Sequence, residues 1–291
     1  MSENPFDLAD NDAYLRWREH KLAQAITATD ELIVEIANPA ALTATERGEL
    51  LARCRRSNMA IYATATAMDE RPVQQLGAQL GLLRLDANWL AGEQGVSRIA
   101  VHPGDGVRQA YIPYTDRAIK WHTDGYYNPP ERQIRGMILH CVRPAAQSGE
   151  NRLLDHEIAY LLLRDADPEF IRALSMPDAM TIPERTDEQG VARAAQTGPV
   201  FSVDDGGKLH MRYTARTRSI EWKQDEATRT AVAQLERLLD SDLPHIFRTR
   251  LKPGMGLLCN NVLHDRAAFT DDPAQPRLLF RARYLDRVSA T

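Results

Sequence analysis

Apolar positions along the chain follow first a helical and then a strand period. Residues 12–22 carry a faint amphipathic helical pattern, and 31–37 reads as a short strand. A stronger helix begins at Thr43-Ala-Thr-Glu46, a capping box in which Thr43 and Glu46 satisfy each other's free backbone N–H groups. Leu50, Leu51 and Cys54 then form its apolar face. The run Met59-Ala-Ile-Tyr-Ala63 has the length and texture of a buried strand, and 70–80 reads as a second helix with Pro72 in its first turn. From about residue 96 short strands separated by turns take over, at 97–101, 134–142 and 153–155. Helices are expected at 155–163, 168–174 and, most clearly, 225–239, where Ala227, Ala231, Leu235, Leu238 and Leu239 make one stripe. Strands at 245–251 and 256–262 flank the turn Lys252-Pro-Gly-Met255, and a last strand covers 277–285. The segment 175–208 shows no period, and a loop of that length suits a lid. Strands toward both ends with helices between predict an α+β domain with a β core. The expected organisation is a single domain over 1–291, with 1–30 as an N-terminal extension and 175–208 as a lid insertion.

Composition narrows the function classes. Apolar residues make up 43% and charged residues 26%, an ordinary soluble balance, and the net charge of -4 comes without long runs of either sign. Nucleic-acid binding normally leaves a basic patch or a high pI, so no nucleic-acid partner is expected. No window is long and apolar enough for a membrane span, and the polar start lacks a signal-peptide core, so a cytoplasmic protein is expected. Cys54, Cys141 and Cys259 are far apart and odd in number, which suits a reducing compartment. A symmetric dimer is the default for the assembly.

The sharpest local chemistry is Trp121-His-Thr-Asp-Gly125. On a strand, His122 and Asp124 face the same way because side chains alternate, so both can reach one metal ion. An isolated His-x-Asp more often means an exposed histidine beside an aspartate. A third ligand would complete the two-histidine, one-carboxylate set of non-haem iron(II) oxygenases. His264 supplies that candidate, placed at the end of the expected strand 256–262. Thirteen residues further on, Arg277 opens a strand on which Arg277, Leu279, Arg281 and Arg283 share a face. Three arginines on one face suit a pocket for anionic ligands, since guanidinium groups pair with carboxylates. A solvated basic edge strand is the competing meaning.

The stretch His122-Thr-Asp, Ile138-Leu-His-Cys141, Ser148-Gly-Glu-Asn151 and Leu154-Asp155, with Asn261-Val-Leu-His-Asp-Arg-Ala-Ala-Phe269, Arg277-Leu-Leu and Tyr284-Leu-Asp286, resembles the 2-oxoglutarate dioxygenases of the taurine dioxygenase superfamily. In motif it is most similar to the γ-butyrobetaine and trimethyllysine hydroxylase branch, over roughly residues 58–287. The resemblance implies a double-stranded β-helix, a jelly roll of the clavaminate synthase-like kind, with flanking helices. It implies Fe(II) on His122, Asp124 and His264, with 2-oxoglutarate and O2 as cosubstrates. It gives Arg277 the distal carboxylate of 2-oxoglutarate. Asn151 stands where relatives place a threonine or serine, which would donate to the same carboxylate. Tyr114, eight residues before His122, matches an aromatic-cage tyrosine of that branch. Gly125 takes the place of a cage aromatic, for which Tyr126 or Tyr127 would substitute. Arg281 stands where that branch has a small residue, and its spacing from Arg277 agrees with the substrate-anchoring arginine of taurine-type relatives.

The implied activity is hydroxylation of an unactivated C–H bond of a small anionic or zwitterionic metabolite (amino acid, betaine or sulfonate), releasing succinate and CO2. Three alternatives stand beside it: a desaturase using the same iron chemistry, a silent binding or sensing protein on the same fold, and a zinc hydrolase using the same ligands. The last leaves Arg277 without a purpose. His140 and Cys141 point to opposite strand faces and read as core. His156, His210 and His245 have no partner at ligand spacing, and Arg53-Cys-Arg-Arg56 reads as a solvated helix end. Arg212, Tyr213, Arg216 and Arg218 form a polar cluster, either a substrate-side loop or plain surface, and Arg283 has no assigned role.

Overall fold

The computed structural model describes residues 4–65, 68–86, 95–101, 111–187, 190–216 and 220–291. Two sheets lie face to face, each covered on its outer side by helices. The larger has the order Ile33–Ile36, Met59–Thr64, Met255–Cys259, Gly136–Arg143, Leu278–Tyr284, Ser97–Ile99. Its first pair is parallel and the rest antiparallel. The smaller has the order Phe247–Thr249, Asn151–Leu154, Leu263–Arg266, Ile119–His122, all antiparallel.

Side-chain alternation builds the layers. Along Met59–Thr64, Met59 and Ile61 enter the core between the sheets, while Ala60 and Tyr62 face the helices Ala44–Ser57 and Glu70–Gln79. The last strand divides in the same way. Leu278, Phe280, Ala282 and Tyr284 pack outward, and Leu279 packs between the sheets. The expected shared face of Leu279, Arg281 and Arg283 therefore turns inward. Gly256 is required where Tyr62 crosses the sheet, since a Cβ there would lie 2.2 Å from the tyrosine ring. A third core joins Trp121, Leu154 and Leu263 of the smaller sheet to the helices His156–Ala166, Pro168–Leu174 and Glu226–Leu239.

The capping box forms as expected: Glu46 N donates to Thr43 Oγ1 at 3.2 Å and Thr43 N to Glu46 Oε2 at 2.7 Å. Helix Asn11–Ala23 is fastened by Lys21, which is buried between Asp155 and Glu157 at 2.6 Å from each. The three cysteines are buried and unpaired. Among the described residues no helix is long and apolar enough to cross a membrane.

The expected loop at 175–208 is instead folded. Met180–Ile182 pairs with Gln196–Gly198, Arg185–Asp187 with Gly190–Arg193, and Phe201–Val203 with Leu209–Met211. Each strand has three or four residues. That is too short for alternation to register in sequence.

Candidate metal centre

Strands Ile119–His122 and Leu263–Arg266 run antiparallel with His264 opposite His122, their ring centroids 4.2 Å apart. His264 is not at the end of strand 256–262. That strand stops at Cys259, and a turn with Asn261 at φ 53° starts the new strand in the other sheet. Asp124 also departs from expectation. The strand ends at His122, so a turn rather than strand alternation brings the carboxylate round. Gly125 makes that turn at φ 69°, and a Cβ on it would lie 2.3 Å from Ile134 Cγ1, so no aromatic fits there.

Asn261 holds the turn, although its role was not read from the sequence. Its Oδ1 accepts from Asp124 N at 2.7 Å, and its Nδ2 donates to the carbonyls of Asp124 at 2.9 Å and Ile134 at 2.7 Å. Its place three residues before His264 was the only available signal.

His122, Asp124 and His264 are buried, and one ligand atom from each lies within 4.8 Å of the others. Nδ1 of His122 donates to the Lys120 carbonyl and Nδ1 of His264 to the Val262 carbonyl, both at 2.9 Å. A carbonyl can only accept, so each Nε2 is left with a lone pair for a metal. Burial, then the neighbouring His264, press His122 down to about 3, which keeps that ring neutral. Burial alone would raise the Asp124 carboxyl. Arg281, Arg283 and the two histidines outweigh it and hold the group below the ordinary carboxylate range. Oδ1 of Asp124 accepts from Arg281 Nη1 at 3.1 Å, while Oδ2 is buried without a partner. An orphaned carboxylate oxygen beside two imidazole lone pairs fits an open-sided iron(II) site.

Arg277 enters the inter-sheet space from the turn before the last strand. Its guanidinium is 5.0 Å from the Phe269 ring, and Arg266 approaches the same ring at 4.9 Å. Arg266 is spent on backbone carbonyls of Pro113, Thr115 and Arg117. Arg277 is 5% exposed, and no carboxylate among the described residues pairs with it. Burial lowers its pKa to about 10. It lines a pocket with Asn151, Arg250, Ser148 and Gly149. Asn151 does border this pocket, but its Nδ2 already donates to the Asp265 carbonyl at 2.6 Å. Arg283 is occupied elsewhere: it pairs with Asp86 at 2.6 Å and donates to Tyr127 Oη at 2.8 Å.

The expected aromatic residues separate. Tyr114 packs in the core between the sheets. Tyr126 stands 6.5 Å from the His122 ring and 5.1 Å from Tyr127. Arg212 is a structural rivet rather than a substrate-side group. It is buried and donates to the carbonyls of Tyr126, Met180, Gln196 and Gly198. Tyr213 is fully buried, Arg216 approaches Tyr126 Oη at 3.5 Å, and Arg218 lies outside the described residues. His140 is buried against Tyr62 and Met68 N, with Cys141 on the opposite face. His156 and His210 are buried away from the triad, and His245 is partly buried.

The family model of the taurine catabolism dioxygenase TauD, TfdA family matches residues 21–283. A uridine-5'-phosphate dioxygenase of Amycolatopsis sp is 34% identical over 196 residues, 65% of this chain and 66% of that one. The match thus spans just under two thirds of that relative. A second, of Streptomyces sp, is 33% identical over 231 residues, covering 76% and 81%. Among solved structures, an asparagine oxygenase with Fe(II), hydroxyasparagine and succinate superimposes with a TM-score of 0.61 at 17% identity, over 85% of this chain and 81% of that one. A non-heme iron oxygenase with Fe and alpha-ketoglutaric acid gives 0.61 at 17%, over 84% and 81%. These two share the fold. The protein is a 2-oxoglutarate-dependent non-haem iron dioxygenase, a class that works with Fe(II), 2-oxoglutarate and O2. Within that class the chain belongs to the taurine catabolism dioxygenase TauD, TfdA family.

Proposed function

We propose that His122, Asp124 and His264 hold the iron, that Arg277 holds the distal carboxylate of 2-oxoglutarate, and that the protein oxidises a C–H bond of a phosphorylated metabolite. The carrying observation is the pairing of two unmet demands. One ligand atom from each of three buried residues converges within 4.8 Å, Asp124 Oδ2 has no partner, and a buried arginine without a carboxylate partner among the described residues borders a pocket that the inter-sheet core residues Cys141, Leu251 and Leu279 also line. The facing sheets, both lined by the inter-sheet core, support reading the fold as a double-stranded β-helix, and we take residues 1–291 as one domain.

Bound iron(II) would supply the coupling of O2 activation to decarboxylation of 2-oxoglutarate, giving succinate and CO2. The chain does the positioning. The Lys120 and Val262 carbonyls aim both Nε2 atoms, and Asn261 fixes the Asp124 turn. Arg281 holds Asp124 Oδ1, which leaves Oδ2 as the oxygen with nothing else to bind. Arg277 offers a fork-shaped donor set to a carboxylate.

The substrate class rests on two supports. Two relatives are named as uridine-5'-phosphate dioxygenases. Of the tyrosines expected to receive a trimethylammonium group, Tyr114 is buried in the core, Tyr127 already has a guanidinium over its ring, and Tyr126 has one at its hydroxyl. Arg193 lies 5.4 Å over Tyr127, and Arg216 reaches Tyr126 Oη. A second cation would meet repulsion there, so the betaine expectation gives way to an anionic substrate, with Tyr126 and Tyr127 as pocket wall. Hydroxylation is the proposed outcome, and product mass separates it from desaturation by oxygen gained against hydrogens lost. The test is succinate release from 2-oxoglutarate by protein reconstituted with iron(II) and ascorbate, with and without uridine 5'-phosphate. Stimulation by the nucleotide is expected. No succinate and no iron uptake would favour a silent binding protein.

A further inference from the structure

We propose that Arg185 and Arg193, facing each other across one β-hairpin, act with Arg216 as the phosphate-recognising wall of the substrate pocket. The inference rests on the oxygenase reading above and adds the residues that select a phosphate ester. The two hairpin arginines are direct cross-strand partners. Like charges opposite each other destabilise a strand pair. Their guanidiniums stack on different tyrosines, Arg185 at 4.4 Å over Tyr111 and Arg193 at 5.4 Å over Tyr127. The third cation, Arg216, is 3.5 Å from Tyr126 Oη.

Among the described residues, neutralisation is what this cluster lacks. The chain has 40 acidic residues against 36 lysines and arginines. Nearby Arg281 and Arg283 are each matched with an aspartate. Among the described residues no carboxylate pairs with Arg185, Arg193 or Arg216. Arg193 Nε is buried with no partner, and its Nη2 donates to the Pro183 carbonyl at 2.7 Å. Burial and repulsion from Arg185 both disfavour its charge, while the surrounding tyrosines favour it. Stability alone would not select such a cluster, and a bound dianion would relieve it.

The cluster is held beside the metal residues. Arg212 joins the hairpin's base, through the Met180, Gln196 and Gly198 carbonyls, to the carbonyl of Tyr126. Tyr126 in turn packs edge-on to His122. A phosphate ester suits this wall better than a carboxylate, because three acceptor oxygens can share several guanidinium forks.

The test compares calorimetric binding of uridine 5'-phosphate, uridine and inorganic phosphate to the iron(II)- and 2-oxoglutarate-loaded protein without oxygen. Wild type should bind the nucleotide more tightly than uridine, with inorganic phosphate competing. Arg193→Ala and Arg216→Ala should each weaken nucleotide binding about tenfold or more, the scale of a lost charge-assisted pair. Uridine binding should move little, and Arg193→Lys should recover part of the loss. Arg172→Ala, which removes an exposed helix ion pair, is the control. Equal wild-type affinity for uridine and its phosphate, or wild-type nucleotide affinity in both alanine variants, would overturn the proposal. Iron uptake and succinate release by wild type report separately on the underlying oxygenase reading, so the two failures can be told apart.

Discussion

The two facing sheets are stabilised by different means. The larger rests on apolar strands of up to eight residues, with Ile61, Ile138, Leu258 and Ala282 wholly buried. The smaller has strands of three or four residues that carry His122 and His264. Polar clamps hold it: Asn261 on the Asp124 turn, Arg152 on Asp265 at 2.6 Å, and Arg266 on three carbonyls. Apolar burial supplies stability without direction, whereas hydrogen bonds fix the angles that metal ligands need. A rigid sheet thus backs a site whose geometry is set by polar contacts.

Substitutions on the two sides should separate these contributions. Leu258→Ala should cost about 2–5 kcal/mol of stability by opening a cavity, read by urea unfolding, with little change in iron affinity in the protein that remains folded. Arg277→Met should raise the KM for 2-oxoglutarate about 10- to 100-fold, from the roughly 1.5–3 kcal/mol of a charged hydrogen bond, while iron uptake persists. Asn261→Ala should weaken iron binding about tenfold, at the low end for residues that orient metal ligands, and move the unfolding midpoint less than Leu258→Ala does. An Asn261→Ala effect on stability alone would erase the contrast between the sheets.

The smallest expected effect is a pH slope. Burial presses His140 to about 4, and burial with His156 presses His210 to about 3. The unfolded chain takes up these protons below about 6.5, whereas the folded protein does not until near 4 or 3. Stability should therefore fall as pH drops from about 6.5 toward 4, by at most about 1.4 kcal/mol per pH unit for each histidine. His140→Phe should remove one share of that slope, measured by urea unfolding between pH 7 and 5.

What the sequence disclosed follows the same division. Helices with caps and long apolar strands were legible, because period and capping are local: Thr43 with Glu46, the 225–239 stripe apart from the exposed Ala227, and the alternation of the last strand. The proposed metal ligands His122, Asp124 and His264 were picked out by motif spacing and the Arg277 strand face, and they lie together in the structure. The strand holding His264 was misplaced because a turn at Asn261 switches sheets within a continuous apolar run. The hairpin of Arg185 and Arg193 was invisible because its strands are too short to show a period. Arg212 read as either a substrate-side loop or plain surface because nothing local foretells five carbonyls gathering around one guanidinium.

The most direct test of the central claim is anaerobic titration of iron(II) into metal-free wild type and Asp124→Ala with 2-oxoglutarate present, followed by the visible charge-transfer absorption of a chelated 2-oxo acid. Wild type should saturate at one iron per chain, and the variant should develop little of the band. A variant that saturates like wild type, or a wild type with no band at all, would contradict the account.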